Sequence, residues 1–193
     1  MKFTIADGLT SLRLILVPVF LYYFLTAQQM VALTVFAIAG FTDLIDGTVA
    51  RLTKQTSKLG AILDPVADKL LMGSCFLMLT LQGVLPWWFF WLALGRDIMI
   101  LSGVYYLEKT KVKFAPRALV VSKIATLILL TTAILGLIAW WRPELVYIKG
   151  DFANWFDAFI VIAAVFITMS GVQYVRLGFK ILRKSKKLPD NVL

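Results

Sequence analysis

Residues 36–51 read FAIAGFTDLIDGTVAR, and residues 60–71 read GAILDPVADKLL. Each stretch sets a pair of aspartates into otherwise apolar sequence: Asp43 with Asp46, and Asp64 with Asp68. In an α-helix, residues three or four apart lie on the same face. Because only a short basic connection separates the stretches, we expect two antiparallel neighbouring helices. The four carboxylates would then converge at one depth, near one end of a helix bundle.

The rest of the chain is unusually apolar for a soluble protein. Hydrophobic residues make up 60% of the 193 residues and charged residues 16%, against about 45–50% and about 25% in soluble domains. Breaker residues divide the apolar sequence into six segments, each near the length of ~20 residues that crosses a bilayer. These are 9–26, 30–50, 60–82, 86–107, 118–141 and 153–178. The sequence therefore predicts an all-α integral membrane protein with six transmembrane helices, forming a single membrane domain over residues 1–193.

The positive charge of the chain follows its predicted topology. The net charge is +9, and lysine and arginine concentrate in the second-to-third connection, in the fourth-to-fifth connection and in a tail at about 179–193. By the positive-inside rule, both termini and these connections lie in the cytoplasm, which predicts an inner-membrane protein with its aspartates facing the cytoplasm. Since topology accounts for the charge, no nucleic-acid partner is predicted. The tail is expected to lie along anionic lipid.

Four converging carboxylates need neutralisation, because an acidic side chain inside a bilayer costs at least ~2.5–3.5 kcal/mol. An oxygen-only cluster suits Mg²⁺ or Mn²⁺. The chain has no histidine and one cysteine, which argues against zinc or copper at the cluster and excludes an internal disulfide. Two alternatives remain open at this point. One is a set of buried ion pairs with Lys69, Arg96 or Arg51, and the other is a proton or cation pathway.

Small residues accompany the acids at positions Gly47, Ala50 and Gly60. In membrane helices such residues commonly permit close helix packing, but beside a charged cluster they also leave room for a ligand. Pro65 directly follows Asp64. It either kinks a helix that has already begun or stands among the first residues of one.

The complete pattern is Asp43-x₂-Asp46-Gly47-x₂-Ala50-Arg51-x₈-Gly60-x₃-Asp64-x₃-Asp68. It resembles the signature of the CDP-alcohol phosphotransferases at all eight fixed positions. The resemblance implies a membrane enzyme that transfers a substituted phosphate from a CDP-linked donor to an alcohol and releases CMP. It implies that the four aspartates hold one or two divalent ions and that Asp68 is also the general base. It further implies a homodimer and a CDP site at Asp43, Gly47, Ala50, Arg51 and Gly60.

Three shorter segments resemble the phospholipid-making branch, whose donor is CDP-diacylglycerol. The segment from Asp7 to Arg13 resembles the start of phosphatidylglycerophosphate synthases and cardiolipin synthases, which favours a glycerol-type acceptor. The stretches GRDIM at 95–99 and SKIAT at 122–126 resemble cardiolipin synthases. Phosphatidylglycerophosphate synthases often carry a second lysine where this chain has Ala125. Phosphatidylglycerol is therefore the expected acceptor, with glycerol 3-phosphate as the alternative.

The candidates for binding the acceptor's phosphate are Arg96, Arg117 and Lys123. Arg96 could instead pair with Asp97, and Arg117 could serve as a topological anchor. Arg13 could extend to the membrane surface or face the donor's phosphate. Two rival functions are a divalent-cation or proton transporter and a prenyltransferase-like enzyme. The transporter leaves the glycine, alanine and arginine positions of the pattern unexplained, and the prenyltransferase does not fit the chain length.

Overall fold

The computed structural model describes residues 5–53, 60–109, 120–146 and 155–185, and within these ranges the chain is helical with no β-strand. The helices are α1 (Ile5–Leu25), α2 (Gln29–Thr53), α3 (Gly60–Leu81), α4 (Trp87–Lys109), α5 (Val120–Trp141), α6 (Pro143–Val146) and α7 (Trp155–Ser185). The six long helices match the six apolar segments, so the all-α prediction is confirmed. The short α6 was not predicted.

Two compact units make up the chain. The first contains residues 1–86 and 133–154, and therefore α1, α2, α3, α6 and the C-terminal half of α5. The second contains residues 87–132 and 155–193, and therefore α4, the N-terminal half of α5, and α7. We call them unit 1 and unit 2.

Aromatic side chains connect three helices of unit 1. The Phe20 ring lies 5.8 Å from that of Phe36, which joins α1 to α2, and both side chains are buried. The Phe24 ring stacks on Trp140 of α5 at a centroid distance of 3.9 Å. Next to this stack, Gln29 Nε2 donates a hydrogen bond of 2.9 Å to the Trp140 carbonyl. This bond satisfies one of the carbonyls that the end of α5 leaves without a helical partner.

The end of α3 is set by Gly83. This residue has φ 74°, a left-handed conformation that glycine adopts without steric cost. The Gly83 amide bonds to the Thr80 carbonyl at 3.0 Å, and the Val84 amide bonds to the Leu79 carbonyl at 2.9 Å. These two bonds form a Schellman motif. Helix α3 therefore stops at the break predicted between the third and fourth apolar segments.

Helix α6 follows α5 after the single residue Arg142. Its first proline is favoured at this position because the missing amide would have no helical acceptor there. Arg142 Nη1 lies 3.1 Å from Glu144 Oε1. A hydrogen bond from the Glu144 backbone and the contact with Arg142 hold the pKa of the exposed Glu144 carboxyl below its ordinary value.

In unit 2, α4 packs against α7. The contact is close at Gly171, where an added Cβ would lie 3.0 Å from Met99 Cε. Helix α5 adds Ala125 and Leu129 to the buried side chains of this unit, and α7 adds Ile160 and Ile167. Small side chains at such contacts let helix backbones approach each other closely.

Two of the described helices are long and apolar enough to cross a membrane, by length and composition. They are Val121–Trp141 in α5 and Trp155–Gly178 in α7. Shorter apolar stretches of helix run from Ser11 to Leu25 and from Gln29 to Gly40.

We predict that Gly136→Ala destabilises unit 1. An added Cβ would lie 2.7 Å from Leu79 Cδ1, and Leu79 is fully buried. Overpacking of this kind costs about 1–3 kcal/mol. Thermal unfolding in detergent should show a lower midpoint for G136A than for the wild type. The control is Gly73→Ala in α3, where nothing lies within 4 Å of the added Cβ. Equal midpoints for the two variants would contradict the prediction.

Candidate active site

The four aspartates of the signature lie on two helices of unit 1. Asp43 and Asp46 belong to α2, and Asp64 and Asp68 belong to α3. The backbone is helical at all four positions. In a helix, residues three or four apart lie on the same face, so the two aspartates of each pair share one face. Helix α1 packs against both α2 and α3. The two aspartate-bearing helices thus share one neighbour.

Asp68 is the one aspartate of the four whose side chain the structure describes. Its carboxylate is half-buried, and Lys69 Nζ lies 3.7 Å from Asp68 Oδ2. The side chains of Asp43, Asp46 and Asp64 lie outside the described set. Among the side chains that are described, no group of three or more acidic or cysteine ligands comes together.

The residues expected to contact CDP lie on the same two helices. Gly47, Ala50 and Arg51 belong to the last part of α2, and Gly60 begins α3. Their side-chain surroundings are outside the described set, so these assignments remain predictions. Helix α3 runs unbroken through Pro65, which shows that the helix has already begun when it reaches this proline.

Arg13 lies inside unit 1. Its side chain is 1% exposed. The interpretation that Arg13 extends to the membrane surface is therefore wrong. It belongs to α1, the helix that packs against both aspartate-bearing helices. Unit 1 therefore contains a buried positive charge on the helix that contacts both aspartate-bearing helices.

Arg96 lies in the middle of α4, in unit 2, and is 5% exposed. Its Nη1 donates to Asp97 Oδ1 at 2.7 Å. Its Nη2 donates to Ser122 Oγ on α5 at 3.0 Å and to Ser170 Oγ on α7 at 3.3 Å. One guanidinium therefore joins three helices. The sequence indicated the pair with Asp97 but not the bond to Ser170. The one feature that could have pointed to Ser170 is its hydroxyl inside an otherwise apolar segment.

Lys123 follows Ser122 in the first turn of α5. Its side chain is exposed and forms no ion pair with any described residue. Of the three acceptor-phosphate candidates, Arg96 therefore bonds to Ser122, the residue directly before the second candidate, Lys123. The third candidate, Arg117, lies outside the described residues.

Comparison with known proteins identifies relatives on sequence alone. A cardiolipin synthase (CMP-forming) of Rattus norvegicus is 41% identical over 106 residues, covering 54% of this chain and 35% of the rat protein. The corresponding Homo sapiens protein is 39% identical over 106 residues, covering 54% of this chain and 35% of its own. A Mycobacterium tuberculosis protein described as a probable phosphatidylglycerophosphate synthase is 42% identical over 100 residues, covering 49% of this chain and 48% of its own.

The chain thus spans between about a third and a half of the length of these curated relatives. The family comparison covers more of it. The model of the CDP-alcohol phosphatidyltransferase family matches residues 3–170, which include the whole aspartate signature as well as Arg96 and Lys123. Because this match extends over most of its length, the chain belongs to the CDP-alcohol phosphatidyltransferase family.

Proposed function

We propose that this protein transfers the phosphatidyl group of CDP-diacylglycerol to the hydroxyl of a glycerol-type acceptor and releases CMP. The observation that carries the proposal is the complete eight-position signature, with its four aspartates on helices α2 and α3. The acceptor oxygen forms a new bond to the phosphorus that bears the lipid. The bond from that phosphorus to CMP breaks, and the hydroxyl proton passes to a base.

Asp68 is the proposed base. Its carboxylate is half-buried and therefore accessible to an acceptor hydroxyl, and Lys69 Nζ lies 3.7 Å from Asp68 Oδ2. A positioned carboxylate of this kind contributes about 10²–10⁴-fold to the rate of a proton-transfer step. Gly47, Ala50, Arg51 and Gly60, together with Asp43, are proposed to bind the CDP part of the donor.

The four aspartates offer a donor set of oxygen atoms alone, which fits Mg²⁺ or Mn²⁺. Asp43, Asp46, Asp64 and Asp68 would hold one or two such ions. When bound, the metal neutralises the charge of the diphosphate and of the departing CMP. The protein's own part is to orient the donor, because phosphoryl transfer depends mainly on positioning and electrostatics.

The proposed setting is the cytoplasmic membrane, with six spans, both termini in the cytoplasm and the aspartates at the cytoplasmic side. The exposed aromatic side chains of α4 support this arrangement. Trp87 and Trp88 lie at its start, and Tyr105 and Tyr106 lie near its end. About 18 residues of helix separate the two groups, or about 27 Å, close to the ~30 Å hydrocarbon thickness that interfacial aromatic belts enclose. A homodimer is proposed from the family resemblance.

Phosphatidylglycerol is the preferred acceptor, and glycerol 3-phosphate is the alternative. Ala125, which stands where phosphatidylglycerophosphate synthases often carry a second lysine, is fully buried. Position 125 therefore adds no cation beside Lys123. Arg96, Lys123 and Arg117 remain to bind the phosphate, which suits the single charge of phosphatidylglycerol better than the doubly charged glycerol 3-phosphate.

The first prediction is that CMP release from CDP-diacylglycerol requires Mg²⁺ or Mn²⁺ and is stimulated by phosphatidylglycerol. The measurement is CMP release by purified protein in detergent, with parallel samples containing phosphatidylglycerol, glycerol 3-phosphate, inositol phosphate, serine or no acceptor. Stimulation by glycerol 3-phosphate alone would replace the preferred acceptor with the alternative. Absence of metal-dependent release with every acceptor would contradict the proposed function.

A second prediction concerns the base. Asp68→Asn removes a proton acceptor and a metal ligand while keeping the side-chain volume, so kcat should fall at least about 10²-fold with little change in the unfolding midpoint. Asp157→Asn in α7 is the matched control, because Asp157 is exposed and outside the signature. Near wild-type turnover by D68N would show that another group is the base.

A third prediction uses the two arginines of unit 1. Arg13 is buried, and we propose that it binds the donor's phosphate, whereas Arg142 is exposed. Arg13→Gln should raise the KM for CDP-diacylglycerol about tenfold or more, since a charge-assisted hydrogen bond contributes about 1.5–3 kcal/mol. Arg142→Gln should leave this KM unchanged. A lower unfolding midpoint for R13Q with an unchanged donor KM would assign Arg13 to structure alone.

A further inference from the structure

The hydrogen bonds of Arg96 connect residues that are distant in the sequence. Ser122 is 26 positions away on α5, and Ser170 is 74 positions away on α7. The guanidinium is 5% exposed, and the carboxylate of Asp97 balances its charge at 2.7 Å. Ser170 itself is fully buried. This is a built polar site inside unit 2, and the functional assignment so far accounts for Arg96 alone among its members.

Helices α4 and α7 are in close contact at the residue that follows Ser170. Gly171 lacks the Cβ that would lie 3.0 Å from Met99 Cε. Directly before this glycine, the Ser170 hydroxyl lies 3.3 Å from Arg96 Nη2.

The bonds also define the orientation of the guanidinium. Arginine presents its N–H groups in a rigid planar fork, so bonds from Nη1 to Asp97 and from Nη2 to two serines hold both the plane and its rotation. Nε is the one guanidinium nitrogen with no hydrogen-bond partner among the described residues. The positive charge stays beside Ser122 of α5, directly before the exposed Lys123.

We propose that Asp97 and Ser170 are positioning residues for acceptor binding, acting through Arg96. The inference rests on the proposed function and extends it to α7, a helix that carries none of the acceptor-binding candidates. Asp97 keeps the buried guanidinium neutralised, and Ser170 keeps it turned toward the first turn of α5. Together they hold Arg96 beside Ser122, the residue directly before Lys123, so that Arg96 can bind the acceptor's phosphate.

The test is Ser170→Ala, with Ser102→Ala as its matched control. Ser102 lies on α4, is exposed and bonds to the backbone carbonyl of Met99. CMP release is first measured at saturating CDP-diacylglycerol while the concentration of the acceptor, phosphatidylglycerol or glycerol 3-phosphate, is varied. It is then measured at saturating acceptor while the concentration of CDP-diacylglycerol is varied. S170A should raise the KM for the acceptor about fivefold, the effect expected from one lost hydrogen bond. The KM for the donor and kcat should match those of S102A.

Two further variants separate positioning from general packing. Asp97→Asn should also raise the acceptor KM, with Asp157→Asn as its control. Arg96→Lys keeps the charge but loses the fork, so adding S170A to R96K should raise the acceptor KM no further. A purely structural role for Ser170 would instead lower the unfolding midpoint and change donor KM, acceptor KM and kcat together.

The outcomes distinguish this inference from the function on which it rests. If the wild-type protein releases CMP and S170A has the same acceptor KM as S102A, the inference is overturned and the proposed function stands. Equal effects of S170A in the R96K and wild-type backgrounds would also overturn it, because Ser170 would then act independently of Arg96. A wild-type protein that releases no CMP with either acceptor would overturn both.

Discussion

Holding ionised side chains among apolar helices is the constraint on which the rest of this structure depends. A charge taken from water into a protein interior costs several kcal/mol unless partners compensate it. Arg96 is nearly inaccessible to solvent, and its partners come from its own helix and from two others. Since hydrogen bonds weaken steeply beyond their usual lengths, these three helices must keep their spacing to within a fraction of an ångström.

Close helix packing makes this precision attainable. At Gly136 in unit 1 and at Gly171 in unit 2, an added Cβ would lie within 3.0 Å of a side chain of another helix. Glycine weakens an isolated helix, but at these positions it shortens the distance between two backbones. In unit 2 this packing contact directly follows Ser170, whose hydroxyl lies 3.3 Å from Arg96 Nη2.

The helices were predictable because their signals are local. Runs of about 20 apolar residues separated by breakers correspond to α1–α5 and α7, and the boundaries differ by only a few residues except at the end of α7. That helix continues to Ser185, beyond the apolar segment ending at residue 178. Its last residues include several that are basic, and basic residues are compatible with a helix although they are not compatible with hydrocarbon. The four-residue α6 escaped prediction because it is too short to show a periodicity.

Sequence alone determined the helical class, the paired aspartates and the membership of the CDP-alcohol phosphatidyltransferase family. Each of these follows from residue types that recur at short spacings along the chain. Tertiary structure decided the surroundings of the buried arginines. Sequence left Arg13 free to reach the surface, and packing of α1 against α2 and α3 buries it. Sequence offered Arg96 its neighbour Asp97, and only the approach of α7 added Ser170. The reason is physical: contacts across 74 positions depend on how helices pack, and no local pattern encodes that distance.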